Sequence, residues 1–246
     1  MVNPAEIFPK GIGRTPYTVR RRAEETHDVV TVELGPTTGG NVPLFRPGQF
    51  VMVTLLRDGK PWQRKAYSIA SSPTSRDHLE IGFKIHGEFT IAFAKLREGD
   101  TVEIDGPYGL FTFDEATTPK ADFFAGGIGI TPFMSMLRYA AAKKLTNDLT
   151  LLYCNKTVHD IAYFEQLQGL AAQNDHIRVI FSVDQIDDAS WMGERGIVSR
   201  EMIERSCRTF HGKMFYLCGP KPFMAATAEH LLTCGVQQQQ IRQEIF

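Results

Sequence analysis

The chain has 246 residues, 43% of them hydrophobic, which suits one large domain or two of ordinary size around a normal core. Lys+Arg 27 against Asp+Glu 28 leaves a net charge of −1, which excludes nucleic-acid or membrane-surface binding driven by bulk charge. No run approaches the ~18 apolar residues of a membrane span, and the N-terminus lacks a signal pattern, so a soluble cytoplasmic protein is expected.

In chain order, the first half reads as short strands rich in Val, Ile, Thr, Phe and Tyr, separated by polar or Gly/Pro punctuation. They are expected over 15–22, 28–34, 49–55, 64–69, 78–84 and 101–105, with one helix at about 90–96. Such spacing suggests a small antiparallel β-barrel. Residues 113–120 are polar, contain Pro119 and form a candidate linker. The period then changes. Strands are expected at 121–125, 149–154, 177–183, 214–218 and 242–246. Helices are expected from Pro132 to about Lys143 and over 161–173, 199–207 and 222–234. That alternation implies an α/β parallel sheet covered on both faces. The expected division is 1–116 and 117–246.

Three segments carry chemistry. Arg64 to Pro73 puts a cation, an aromatic ring, hydroxyls and open backbone amides on one extended stretch, a set suited to a flat ring with a phosphate tail. Residues 126–132, Gly-Gly-Ile-Gly-Ile-Thr-Pro, follow a strand and open a helix. Gly127, Ile128 and Gly129 offer backbone N–H groups at the positive end of that helix, and Thr131 a hydroxyl, which together make a pyrophosphate site. The acidic ribose reader of a Rossmann site is missing from the end of the next strand. Asn155 or Thr157 could bond a ribose hydroxyl there, and Lys156 a 2′-phosphate, so NADH and NADPH both stay open. The third segment is Cys218-Gly219-Pro220 at a strand end. The four cysteines show neither C-x-x-C nor iron–sulfur spacing and the seven histidines are scattered, so no metal site is expected.

Together these residues resemble the ferredoxin–NADP reductase superfamily of flavin-dependent reductases, from about Arg14 onward. The resemblance implies a flavin-binding barrel followed by a nicotinamide-binding α/β domain. The family's flavin signature is Arg-x-Tyr-Ser/Thr. Here Lys65 holds the arginine position, followed by Ala66, Tyr67, Ser68 and Ile69; Arg64 would point to the opposite face. Lysine keeps the charge and loses the bidentate fork. The family's Gly-x-x-Ser/Thr element matches Gly87-Glu88-Phe89-Thr90, where N–H groups and the Thr90 hydroxyl would hold a flavin pyrophosphate. That favours FAD over FMN. Gly106 to Phe111 matches a structural turn, 160–167 the helix after the second nucleotide strand, and 193–196 the turn before the next helix.

The resemblance also implies roles. Ser68 would orient the flavin near N5 and Tyr67 pack on it. Cys218, with Gly219 and Pro220, would lie near the nicotinamide C4, and Glu244 would make a polar contact nearby. Phe246 either covers the flavin face or closes the last strand. The implied activity moves a hydride from NADPH or NADH to FAD and then electrons to a separate acceptor, a redox protein such as ferredoxin or flavodoxin or a small molecule. Alternatives are the reductase subunit of a multicomponent oxygenase and a non-catalytic flavin electron-transfer or redox-sensing module.

Overall fold

The structure, a computed structural model, describes residues 13–186 and 190–244. In the first half, β1 (Thr15–Glu24), β2 (Val29–Pro36), β3 (Phe50–Arg57), β4 (Lys60–Ser68), β5 (Leu79–Lys84) and β6 (Thr101–Tyr108) form one antiparallel sheet in the order β4-β3-β6-β1-β2-β5. An antiparallel bridge between Ile69 and Ile81 joins the two ends of that order, which curls the sheet into a barrel. Inward residues such as Tyr17, Val19, Val32, Val53 and Ile81 fill it. Helix α1 (Glu88–Ala94) plugs one side, with Phe93 stacked on Phe83 at 4.4 Å between ring centroids. The arginine triplet is a paired surface. Arg20 meets Asp77, Arg21 meets Glu33, and Arg22 bonds both Glu24 and the Ala94 carbonyl at the end of α1.

The second half holds β7 (Lys120–Gly126), β8 (Asp148–Asn155), β9 (Ile177–Val183), β10 (Glu194–Arg195), β11 (Met214–Cys218) and β12 (Ile241–Glu244), parallel, in the order β10-β9-β8-β7-β11-β12. Helices α2 (Thr131–Ala142) and α3 (Phe164–Gln173) cover one face, and α4 (Arg200–Ser206) and α5 (Lys221–Thr233) the other. Burial on both faces explains why residues 121–126 of β7 are all buried and mostly apolar, with Asp122 the one charged exception. The strand order reverses between β7 and β11, and the crevice beyond that reversal is where such sheets bind ligands.

Most expected elements stand within a few residues of their places, and the differences have local causes. The two-residue strand β10 was not expected, because Glu-Arg between glycines carries no strand pattern. Helix α3 starts at Phe164 rather than 161. Thr157 and Asp160 form a capping box around a single 3-10 turn, and Tyr163 then adopts a left-handed backbone. Residues 127–130 make a 3-10 turn before α2. The polar connection at 113–120 is tied to the second sheet. Asn147 Nδ2 donates to the Glu115 and Thr118 carbonyls, and Glu115 accepts from Tyr139 and Lys143. The expected strand at 242–246 is seen as Ile241–Glu244, with Ile245 and Phe246 outside the described residues.

One ion pair lies inside the second domain. Lys213 Nζ bonds both Asp122 carboxylate oxygens at 2.9 Å, and both side chains are almost wholly buried. Removing one partner strands a charge in low dielectric. Lys213→Ala is expected to cost about 3–5 kcal/mol in urea unfolding, whereas Asp122→Leu with Lys213→Met should leave stability near the parent's.

Candidate functional site

Two cavities meet at the seam between the domains. The first, about 410 Å³, is lined by Ala66, Tyr67 and Ser68 of β4, Gly82, Phe83 and Lys84 of β5, His86, Thr90, and Ile128 with Thr131 from the other domain. The second, about 600 Å³, opens over the ends of the parallel strands. Its walls include Gly126, Gly127, Ile128, Cys154, Asn155, Lys156, Pro220 and Phe223. Ile128 and Lys84 belong to both, so the two spaces share a wall.

The first cavity is built by the pleat of β4. Tyr67 turns inward and packs on Phe89 at 5.8 Å and on Phe83 at 6.0 Å; burial pushes its phenol pKa up. Ser68 follows on the wall. Its Oγ is buried and makes no hydrogen bond among the described residues, which costs free energy unless a ligand completes it. Lys65 shares the Tyr67 side of the strand, with Nζ 5.8 Å from the Phe89 ring and no ion-pair partner among the described residues. Arg64 faces away and pairs with Asp105. Ile69 sits behind the wall, fully buried, with its N–H bonded to the Gln49 carbonyl.

The turn before α1 differs from its sequence reading in one respect. Gly87, at positive φ, is the N-cap. The Thr90 hydroxyl braces the turn, accepting from the His86 N–H at 2.6 Å and donating to the Gly87 carbonyl. The donors left open are the first N–H groups of the helix, at Glu88, Phe89 and Thr90. The Glu88 side chain turns outward to Arg57 and Gln63.

The glycine turn has divided roles. Gly127 is at φ +51 with open space where a side chain would be. Gly129 is a close-approach residue: a Cβ there would lie 2.2 Å from the Cys218 carbonyl oxygen. Gly219, at φ +155, also stands against main chain: a Cβ there would lie 3.0 Å from the Gly126 backbone. Two strand-end turns thus touch main chain to main chain at the sheet reversal. Thr131 faces the first cavity rather than the second, and its hydroxyl donates to the Ile128 carbonyl.

At the end of β8 the Asn155 amide has both polar atoms buried and without a hydrogen bond among the described residues. Lys156 is exposed on the cleft wall. The Thr157 hydroxyl is held by Asp160, which separates it from Asn155 as a ribose ligand. Cys154 lines the cleft, its thiol pushed up to about 12 by burial, with Glu194 adding to the shift. Cys218 is fully buried, and burial raises its thiol pKa too, so it is a neutral group. Glu244 lies beside it in register on β12, its carboxyl pKa raised by burial. Pro220 lines the cleft, and Gly219 lies against Gly126 behind it. At the rim, His27, Asp28 and Asp160 group their ligand atoms within 4.8 Å. Both carboxylates there are already bonded, Asp28 to Lys84 at 2.7 Å and Asp160 to Thr157. Sequence reasoning missed Gly82, Lys84, Gly196 and Phe223 on these walls. A lone glycine inside the strand pattern 79–84 was the available sign of a close approach.

The FAD-binding domain model of oxidoreductases matches residues 16–113, and the oxidoreductase NAD-binding domain model matches 123–229. The reductase subunit of glycine betaine monooxygenase from Pseudomonas aeruginosa is 31% identical over 207 residues, covering 82% of this chain and 56% of that protein. A flavohemoprotein from Rhodopirellula baltica is 31% identical over 252 residues, covering 95% and 60%. The chain therefore spans little more than half the length of these curated relatives. Among solved structures, the ferredoxin reductase in carbazole 1,9a-dioxygenase aligns with TM-score 0.80 at 25% identity, covering 95% of this chain and 69% of that one. The FAD/NAD-binding domain of a nitric oxide dioxygenase from Vibrio cholerae aligns with TM-score 0.84 at 23% identity, covering 94% and 98%.

Barrel, parallel sheet and shared seam define a two-domain dinucleotide oxidoreductase. The chain belongs to the ferredoxin–NADP reductase superfamily of NAD(P)H-dependent flavoproteins, with FAD and a nicotinamide nucleotide as its cofactors. The Ser68 Oγ and Asn155 amide, one on each cavity and both without a hydrogen bond among the described residues, fit such ligands. Ser68→Ala is expected to leave the cofactor-free protein as stable or slightly more so, while weakening FAD binding about tenfold, the worth of one hydrogen bond to a buried partner. Thermal unfolding and fluorescence titration with FAD measure the two effects.

Proposed function

We propose that this chain is the reductase module that draws electrons from NAD(P)H through FAD and delivers them to a separate redox protein. The observation that carries the reading is the shared wall: Ile128 and Lys84 border both cavities, so ligands in the two would meet there. A bound flavin would supply the hydride-accepting chemistry and the conversion between two-electron and one-electron transfer. The chain's own work is placement. Ser68 donates its free hydroxyl toward the flavin ring, and Tyr67 packs against it. Lys65 and the first N–H groups of α1, from Glu88 to Thr90, neutralise the flavin phosphates, with Gly87 opening the turn. Ala66 and Ile69 shape and back the same strand.

In the second cavity, the Gly127 N–H and its neighbours at Ile128 hold the nucleotide pyrophosphate, while Gly129 keeps the turn against Cys218. Asn155 bonds the ribose and Lys156 reads the 2′ position. Thr131, on the flavin side, forms part of the floor between the ligands. Cys218 and Glu244, with Gly219 and Pro220, border the nicotinamide end, and both stay protonated more readily than in water because they are desolvated. Phe246 as a movable cover falls outside the described residues.

The acceptor reading is a separate carrier such as a ferredoxin or flavodoxin. The likeness to an oxygenase reductase subunit supports a second reading, in which the acceptor is an oxygenase component. Under anaerobic conditions NADH or NADPH should bleach the bound flavin. An unbleached flavin with both nucleotides would sink the reductase reading. If Lys156 reads a 2′-phosphate, Lys156→Ala should raise the dissociation constant for NADPH about five- to thirtyfold, roughly 1–2 kcal/mol for one charge-assisted contact, and leave that for NADH unchanged. Reoxidation of the reduced protein by a ferredoxin, a flavodoxin or an oxygenase component then ranks the acceptors.

A further inference from the structure

Among the described residues, three other than glycine have a left-handed backbone: Asp58, Lys144 and Tyr163. The first two sit in exposed turns. Tyr163 is different. It is 2% exposed, belongs to the core cluster shared by the two domains, and stands at φ 60 as the N-cap of α3. A bulky aromatic residue rarely adopts that backbone, and it persists where the surroundings over-determine it. Its hydroxyl is buried and makes no hydrogen bond among the described residues. The nearby Thr31 hydroxyl gives its own proton to Glu25 at 2.6 Å and stands outside bonding geometry to the phenol. Two local preferences are therefore overridden at one residue.

What the side chain reaches explains this. A Cβ built on Gly82 would lie 2.1 Å from Tyr163 Oη and 3.0 Å from Thr131 Cγ2. Gly82 and Thr131 both line the flavin cavity. The phenol tip thus fills the place of the missing side chain and presses on the strand that forms the back of that cavity. Arg138 holds the ring from the other side, its guanidinium 5.6 Å over the ring centre. The same guanidinium donates to the Ala70 carbonyl and to Glu80 across the seam, at 2.8 and 2.7 Å. The nucleotide domain therefore touches β5 through a rigid strut, end-on at Gly82.

We infer that Tyr163 is a positioning residue for hydride transfer, a strut whose length sets how closely the nucleotide cleft stands to the flavin cavity. The inference rests on the reductase reading above. Tyr163 lines neither cavity. It acts through Gly82 and Thr131, and the glycine is needed because the phenol oxygen occupies its side-chain space.

The test is a double-mutant cycle of Gly82→Ala and Tyr163→Phe in the FAD-loaded protein, with two readouts. The first is the melting temperature. Gly82→Ala should lower it, and most of that loss should vanish in the Tyr163→Phe background, where the 2.1 Å overlap is gone and the tightest contacts left to the new methyl group are Thr131 Cγ2 at 3.0 Å and the ring carbon at 3.3 Å. The second is the anaerobic rate of flavin reduction at saturating nucleotide. Gly82→Ala should slow it at least tenfold, with the nucleotide dissociation constant within threefold of the parent's, and the double variant should recover most of the rate. Tyr163→Phe alone should keep or raise the melting temperature, since an unpaired buried hydroxyl is removed, yet slow reduction at least threefold. Additive melting shifts, or a parental reduction rate in Tyr163→Phe, overturn the strut while leaving the reductase reading intact. A parent that neither nucleotide reduces overturns the reading itself, and the positioning role with it.

Discussion

Everything in this molecule depends on a core that ignores its domain boundary. Val29, Ala70, Phe111 and Phe113 from the first domain are buried in the same cluster as Phe123, Phe133, Met136 and Tyr216 of the second. Apolar burial has no direction of its own, so it cannot fix an angle between two bodies. Directional bonds around it do. Ser135 donates to the Ser71 carbonyl at 2.8 Å, Arg138 reaches Ala70 and Glu80, and Tyr216 reaches the Thr112 carbonyl. The combination fixes one arrangement, and two cavities with a common wall are its product.

Placing the cofactor sites at a seam suits the chemistry they serve. The first domain contributes a strand whose alternation puts Lys65 and Tyr67 on one side, with the buried Ser68 at its end. The second contributes the open ends of its strands, where helix starts and glycines leave N–H groups unpaired. Neither surface encloses a ligand alone. Enclosure also accounts for the raised pKa values of Cys154, Cys218, Tyr67 and Glu244, all led by burial. Hydride transfer asks for no general base, and such a neutral, desolvated wall is consistent with that.

Much of this was legible in the sequence, for identifiable reasons. The change from period-two strands to alternating strand and helix shows wherever residues are buried on one face or both. The glycine turn, Tyr67-Ser68 and Cys218-Gly219-Pro220 announce themselves because each pairs a special backbone need with a reactive group. What was hidden depended on pairing at a distance. The brace made by the Thr90 hydroxyl follows from a turn geometry that Gly-x-x-Thr does not specify. Thr131 reads as a phosphate donor until the 3-10 turn at 127–130 rotates it toward the other cavity. Gly82 looks like a weak strand position until Tyr163, eighty-one residues later, is seen beside it. Strand β10 owes its existence to β9 and not to its own two residues.

The contact of Gly129 and Gly219 with their opposite turns is made of main chain alone. Amide and carbonyl groups are the same in every amino acid, so a scaffold held together there tolerates exchange of almost any surrounding side chain. At this contact the restriction falls on the positions where a Cβ would intrude. That offers a physical route by which a fold can be kept at TM-score 0.84 while only 23% of residues agree. In such an architecture the durable record of ancestry is written in the residues that have no side chain.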